Sequence, residues 1–448
     1  MMQPYLPPEH QLLISLAKSE IWPEAFLGQN SFLLSNEQIN SCLADLEPSG
    51  WNHLFLLAAQ QGLLAIVWDA LQKLMGEGLS GQGFSGQGLK GQGLTDRNVT
   101  GQEETGLGIP RALKIRWELS VRHIGEIHRR QRLVLKELAE VFAREGIRVM
   151  LLKGLGLAEM YPRPEHRESG DLDIYLFGDF EKGNKVIGDL GIEVEYDGTK
   201  HSKFYYKGIP VENHRNFLNV SYTRVDKILE EHLSQILSES DNWKLLAEES
   251  KGAAVLVPPV DFHFLFLVRH TVTHFLSSGI VLRHLYDFGI FLSRYEDQID
   301  FPRLEPVLKE SGQFRLYEIF LNVAHIYLGM PALKRNLPLE QVYDEVMKLH
   351  AVTEARIRNG DLPLEWEYGE VLQVERVILD ILDNPWDRRY IDRVMTKSLP
   401  VRKFYGAVRM FRSRWKYDLA EKHAFRRRFL GAVKNAVQLF FRKNQQYI

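Results

Sequence analysis

The 448-residue chain holds one cysteine, Cys42. A single thiol excludes an intramolecular disulfide and any cysteine-built zinc site, and it fits a reducing compartment. Long hydrophobic runs are also missing. No stretch of about 18 apolar residues occurs, so a transmembrane helix is not expected. The opening MMQPYLPPEHQLLISLAK lacks a basic segment and its apolar run is too short for a signal peptide, so the protein is read as cytoplasmic. Nor is there an excess of charge of one sign: 56 Lys and Arg stand against 58 Asp and Glu. Overall charge therefore points to no polyanionic partner.

What is present is an ordinary globular composition, 45% hydrophobic and 25% charged, in a chain long enough for two or three domains. Apolar residues at three- and four-residue spacing over 37–75, interrupted by EPSG, predict a pair of helices. A five-residue repeat, GEGLSGQGFSGQGLKGQGLT, then runs four times from Gly76 to Thr95. Glycine at that density cannot hold a helix, so residues 76–107 read as a flexible insertion. Helical spacing returns over 108–145 and stops at Gly146. Residues 146–220 alternate strand and helix signals: IRVMLL, LGLAEMY halted by Pro162 and Pro164, DLDIYLF, FEKGNKVIGDLG, and a meander of IEVEYDG, KFYYKG and IPVENH. Residues 221–385 read as a helical domain, and 386–448 as a basic, aromatic helical tail.

The chemistry concentrates in the α/β segment. On a strand, Asp171 and Asp173 share one face while Leu172, Ile174 and Leu176 share the other. Two like charges at that spacing repel, and one pKa must rise unless a cation lies between them. Magnesium favours carboxylate oxygens together with substrate phosphates. IPVENH offers a third carboxylate, Glu212, with His214 on its face. Upstream, Lys153 and Gly154 close a strand just before a helix, where free backbone N–H groups favour phosphate. Arg167 has the planar fork that binds phosphate, and Lys200 and His201 precede the last strands. Asp-x-Asp by itself is common on solvated strands. The order and spacing of the whole set suggest metal-dependent phosphoryl or nucleotidyl transfer.

The stretch GIRVMLLKGLGLAEMYPRPEHRESGDLDIYL resembles the uncharacterised bacterial nucleotidyltransferase family, whose pattern runs Leu-Lys-Gly, Leu-Tyr-Pro, Arg, Asp-Ile-Asp-Leu, within the polymerase-β-like superfamily. The likeness covers about residues 10–300, including WNHLFLLAAQQGLLAIVWDAL, KHSKFYYKGIPVENH and LVRHTVTHFLSSGIVLRHLYDFGIFL. It implies an α+β fold, a small mixed-sheet core flanked by N- and C-terminal helical regions. It also implies Asp171, Asp173 and Glu212 as metal-binding and catalytic residues, with two magnesium ions, or manganese in their place. Lys153, Gly154, Arg167, Lys200, His201 and His214 would then face an NTP, and the acceptor is unnamed. Lys-Gly stands where other branches carry Gly-Ser, so Lys153 would replace a serine hydroxyl. Asn213 replaces the leucine of Val-Glu-Leu-His on the face opposite Glu212, which implies altered packing without loss of a ligand.

His270 and His274 lie four apart on one helix, a spacing that can place two imidazoles on a metal, and Asp287 could pair with Arg283. From Trp386 to Ile448 there are 17 Lys and Arg against 4 Asp and Glu, interleaved with aromatics. Such a tail suits an anionic membrane surface, less so nucleic acid, or it packs its aromatics on the body with its arginines in water. Two further functions stay open beside nucleotidyl transfer. One is a catalytically silent nucleotide- or partner-binding module on the same fold. The other is a toxin-type enzyme modifying tRNA or protein.

Overall fold

The computed structural model describes residues 8–23, 33–76, 107–197, 200–220, 224–240, 244–248, 253–277 and 280–333. The expectations for the glycine-rich insertion and the basic tail concern residues that lie outside this set. Among the described residues, an N-terminal group of helices comes first: α1 (Pro8–Ile21), α2 (Asn36–Ala44), α3 (Pro48–Gln60) and α4 (Leu64–Leu74). The helix pair expected over 37–75 is three helices, because Gly62 takes φ +68° and ends α3. Ser35 opens α2 with a capping box shared with Gln38. The long α5 (Arg111–Arg144) follows. Its Trp117 is buried, stacks on Trp68 of α4 and donates its indole N–H to the Leu64 carbonyl (3.0 Å).

The α+β class expected from the sequence is what the structure has. After α5 come β1 (Val149–Leu151), α6 (Leu155–Ala158), a short 3-10 turn (Pro164–His166), β2 (Leu172–Tyr175), α7 (Phe180–Asp189), β3 (Glu195–Asp197), β4 (His201–Tyr206) and β5 (Ile209–His214). Then α8 (Arg224–Glu239), β6 (Lys244–Glu248) and β7 (Ala254–Val257) lead to helices α9 (Val260–Ser277), α10 (Leu282–Tyr295), α11 (Phe301–Glu310) and α12 (Phe314–Ile326). The strands form one mixed seven-stranded sheet in the order β3-β4-β5-β2-β1-β7-β6. The β3-β4-β5 meander is antiparallel, and β5 lies parallel to β2. The sheet runs past residue 220, where the α/β segment was expected to close: β7 pairs in parallel with β1, Val149 opposite Val255. That pairing joins segments about a hundred residues apart, which local patterns do not reveal.

Alternation along the strands divides the core in two. Val149, Leu151, Leu172, Ile174, Phe204 and Val211 face Leu138 and Phe142 of α5 and Ile187 of α7. Met150, Leu152 and Leu256 face the other way, into the larger cluster with Phe217, Phe262 and the C-terminal helices. β1 is thus buried on both faces, and β2 can present aspartate on one face only because leucine and isoleucine anchor the other. Among the described residues, no helix is long and apolar enough to cross a membrane.

Candidate active site

β2 and β5 place the acidic residues together. Their parallel register sets Asp173 directly opposite Glu212. Asp171, one residue before β2, completes a group in which one carboxylate oxygen from each residue lies within 4.8 Å of the other two. Asp173 is almost fully buried. Lys153 Nζ lies 3.2 Å from its Oδ2, and His214 Nε2 lies 3.1 Å from its Oδ1. Burial alone would raise the Asp173 pKa, but the Lys153 charge and the His214 contact outweigh it and hold the carboxyl below its usual range. Burial likewise works against the Lys153 ammonium, yet Asp173, Asp171 and Glu212 together raise it above its ordinary value. For Glu212, too, burial raises and His214, then His201, lower, and the net shift is downward. Lys200, at the head of β4, is lowered by burial and by Lys153.

Gly154 sits at the turn between β1 and α6 with φ +73° and ψ −107°, a conformation open to glycine. A Cβ there would stand 3.2 Å from Ser169 Oγ. The sequence lacks a serine next to Gly154, and the fold brings the Ser169 hydroxyl beside it instead. Ser169, Lys153, Gly154, Asp171 and Asp173 line one cavity together with His270 and His284.

The loop that delivers Asp171 is tied down on three sides. Asp69 of α4 receives Arg163 (2.7 Å) and contacts His166 (2.6 Å). Gln131 of α5 donates to the Gly170 carbonyl (2.9 Å), and Glu168 accepts from the Leu64 backbone (3.4 Å). Arg167 is expected from sequence to face a phosphate. In the structure its fork grips Asp287 of α10 at 2.8 and 2.7 Å, and its remaining nitrogen donates to the Glu168 carbonyl (3.1 Å). Asp287 does not pair with Arg283 as expected. Its oxygens are taken by Arg167 and by the Tyr161 hydroxyl (2.9 Å), since the buried guanidinium needs a carboxylate more than the half-buried Arg283 does. Sequence reasoning missed Asp69 and Gln131. The available signal was a charged and an amide side chain on otherwise apolar helix faces.

His270 and His274 of α9 meet edge to face, with ring centroids 4.4 Å apart, and His284 of α10 stacks 6.0 Å from His274. Burial pushes all three imidazoles down, His274 to about 4, so they are neutral near pH 7. Among the described residues, the groups whose donor atoms converge are Asp171–Asp173–Glu212 and His201–Glu212–His214. Neither includes these histidines. Asn213, opposite Glu212 as expected, donates to the Phe180 carbonyl (3.2 Å) and to Asn184 Oδ1 (2.9 Å), linking β5 to α7.

With this geometry in view, comparison with known families is informative. The uncharacterised nucleotidyltransferase family matches residues 47–329, more than half of the chain. The chain belongs to that family. The match starts later than the resemblance read from the sequence and runs further, taking in α3 through α12 and every residue of the cavity. Membership supports nucleotidyltransferase activity with a nucleotide substrate. Comparison with curated proteins returned no match, and neither did comparison with solved structures.

Proposed function

We propose that the protein is a magnesium-dependent nucleotidyltransferase of the polymerase-β-like kind, moving a nucleoside monophosphate from an NTP to an unidentified acceptor. The observation that carries this reading is the convergence of Asp171, Asp173 and Glu212 within 4.8 Å, on elements brought together by the β2–β5 pairing. Three carboxylates so close form a stable set only with cations among them, and the all-oxygen donor set fits magnesium or manganese. Divalent ions held there would neutralise the transferring phosphate and orient the attacking oxygen.

The chain's own residues divide the remaining work. Lys153 releases Asp173 and turns its ammonium to the triphosphate, next to the exposed backbone at Gly154. Lys200 adds positive charge on the same side, and His201 and His214 border the nucleotide. Arg167, held by Asp287, positions the loop and does not touch phosphate. The test is thermal melting with each NTP and magnesium, together with transfer of label from NTP into a cell extract. Wild-type protein is stabilised only when magnesium and nucleotide are both present, and label moves to an acceptor. An Asp173→Asn variant that keeps the magnesium-dependent shift sinks the proposal.

A nucleotide-binding module without transfer is the second reading. It is favoured by the Lys153–Asp173 ion pair, in which an ammonium already neutralises a ligand carboxylate. Nucleotide stabilisation that needs no magnesium, with no label transferred, is the outcome this reading expects.

A further inference from the structure

Glu212 belongs to two converging groups at once. Besides the all-carboxylate set, it joins His201 and His214, whose donor atoms and its own all lie within 4.8 Å of one another. The two histidines are direct cross-strand partners on β4 and β5, with ring centroids 5.3 Å apart. His201 Nε2 lies 3.7 Å from Glu212 Oε1, and His214 Nε2 lies 3.7 Å from Glu212 Oε2. These separations are too long for hydrogen bonds. They are close to the spacing, about 3.4 Å, between donors that surround a tetrahedral ion at about 2.1 Å. On its other side, His214 Nδ1 lies 3.3 Å from the Asn216 carbonyl. A ligating histidine typically donates its second ring N–H to such a carbonyl, which leaves the other nitrogen as a lone pair. His214 Nε2, the nitrogen a metal would use, lies 3.1 Å from Asp173 Oδ1 and 3.7 Å from Glu212 Oε2.

We propose that His201, Glu212 and His214 form a second metal site, distinct from the carboxylate set and selective for a first-row transition ion such as zinc. Two imidazole nitrogens and one carboxylate suit that class, whereas magnesium prefers oxygen alone. Glu212 then belongs to both a nitrogen-containing site and an oxygen-only site. The proposal shares Glu212 with the nucleotidyltransferase reading but does not require transfer to occur.

Cobalt(II) is the probe, added to the full-length, metal-stripped protein, with zinc as competitor. We expect a visible absorption band of the intense kind given by nitrogen-ligated, low-coordinate cobalt, displaced by zinc, and hyperfine-shifted imidazole N–H resonances in the proton NMR spectrum. His201→Ala, checked for folding by circular dichroism, lowers cobalt affinity at least a hundredfold and removes the band. Asp171→Asn keeps both. A band without shifted imidazole protons, or one that survives His201→Ala, overturns the site, as does a wild-type protein that takes up no cobalt. The NMR arm needs no variant, so a misfolded mutant leaves the proposal testable. Failure of magnesium-dependent nucleotide binding in the wild type would instead remove the transferase reading and leave the cobalt result standing.

Discussion

Two carboxylate–cation pairs face the same cavity and differ in almost every respect. Arg167 and Asp287 are both buried and meet through two short, parallel bonds, with the remaining oxygen capacity taken by Tyr161. Charge and hydrogen bonding close on themselves. Lys153 and Asp173 touch at one point, 3.2 Å, and two further carboxylates, Glu212 and Asp171, converge on Asp173. The first pair is complete, while the second sits among three carboxylates with one ammonium between them. A buried pair that satisfies itself fixes structure, and one that cannot do so is poised for an added cation.

That contrast can be broken by experiment. The largest effect should come from Asp171→Asn, which we expect to lower any transfer activity by about 10³-fold or more, roughly 4 kcal/mol of barrier. The same change relieves repulsion among three carboxylates, so its melting temperature should not fall. A large drop in stability would make Asp171 structural and erase the distinction. Arg167→Ala should do the reverse. It leaves Asp287 charged and buried, costing about 3–5 kcal/mol in denaturant unfolding, and a loss under about 1 kcal/mol would show that the pair is dispensable. Gly154→Ala should cost about 2 kcal/mol, because the backbone there is closed to a Cβ that also presses on Ser169 Oγ. An unchanged melting curve would mean the turn relaxes freely.

A last effect is a slope with pH. His263 and His274 are held by burial at about 4 in the folded protein, against an ordinary value near 6.5. Between those values the unfolded chain binds protons that the folded one refuses, so stability rises with pH there. Each histidine contributes about 1.4 kcal/mol per pH unit, present in full above pH 6.5 and lost as pH falls towards 4. Asp173 and Glu212 are shifted down, so their contribution disappears only at still lower pH. Urea melts at pH 7, 5.5 and 4.5 would check the order of the two windows. A flat profile from pH 7 to 5 would remove the histidine contribution.

Much of the site was legible in the order of residues. Asp171 and Asp173 alternate with Leu172 and Ile174, and period-two alternation must put them on opposite faces of any strand. Glu212 and His214 alternate with Val211 and Asn213 in the same way, so each strand's polar face was readable before their pairing was known. The break at Gly62 and the strands β6 and β7 were not legible. The last two are short and gain their place only by pairing with β1 across a long stretch of chain. Arg167 was misjudged for the same kind of reason: its partner, Asp287, lies 120 residues away.

By itself, then, the sequence determined which residue types could carry the chemistry and which strand face each occupies, because backbone geometry makes that a local matter. Tertiary structure decided the partners. Parallel pairing of β2 and β5 set Asp173 beside Glu212, the packing of α10 on the loop paired Arg167 with Asp287, and a turn in space put Ser169 where the chain has no serine next to Gly154. Electrostatic partnership depends on distance through space, and a linear order does not encode distance.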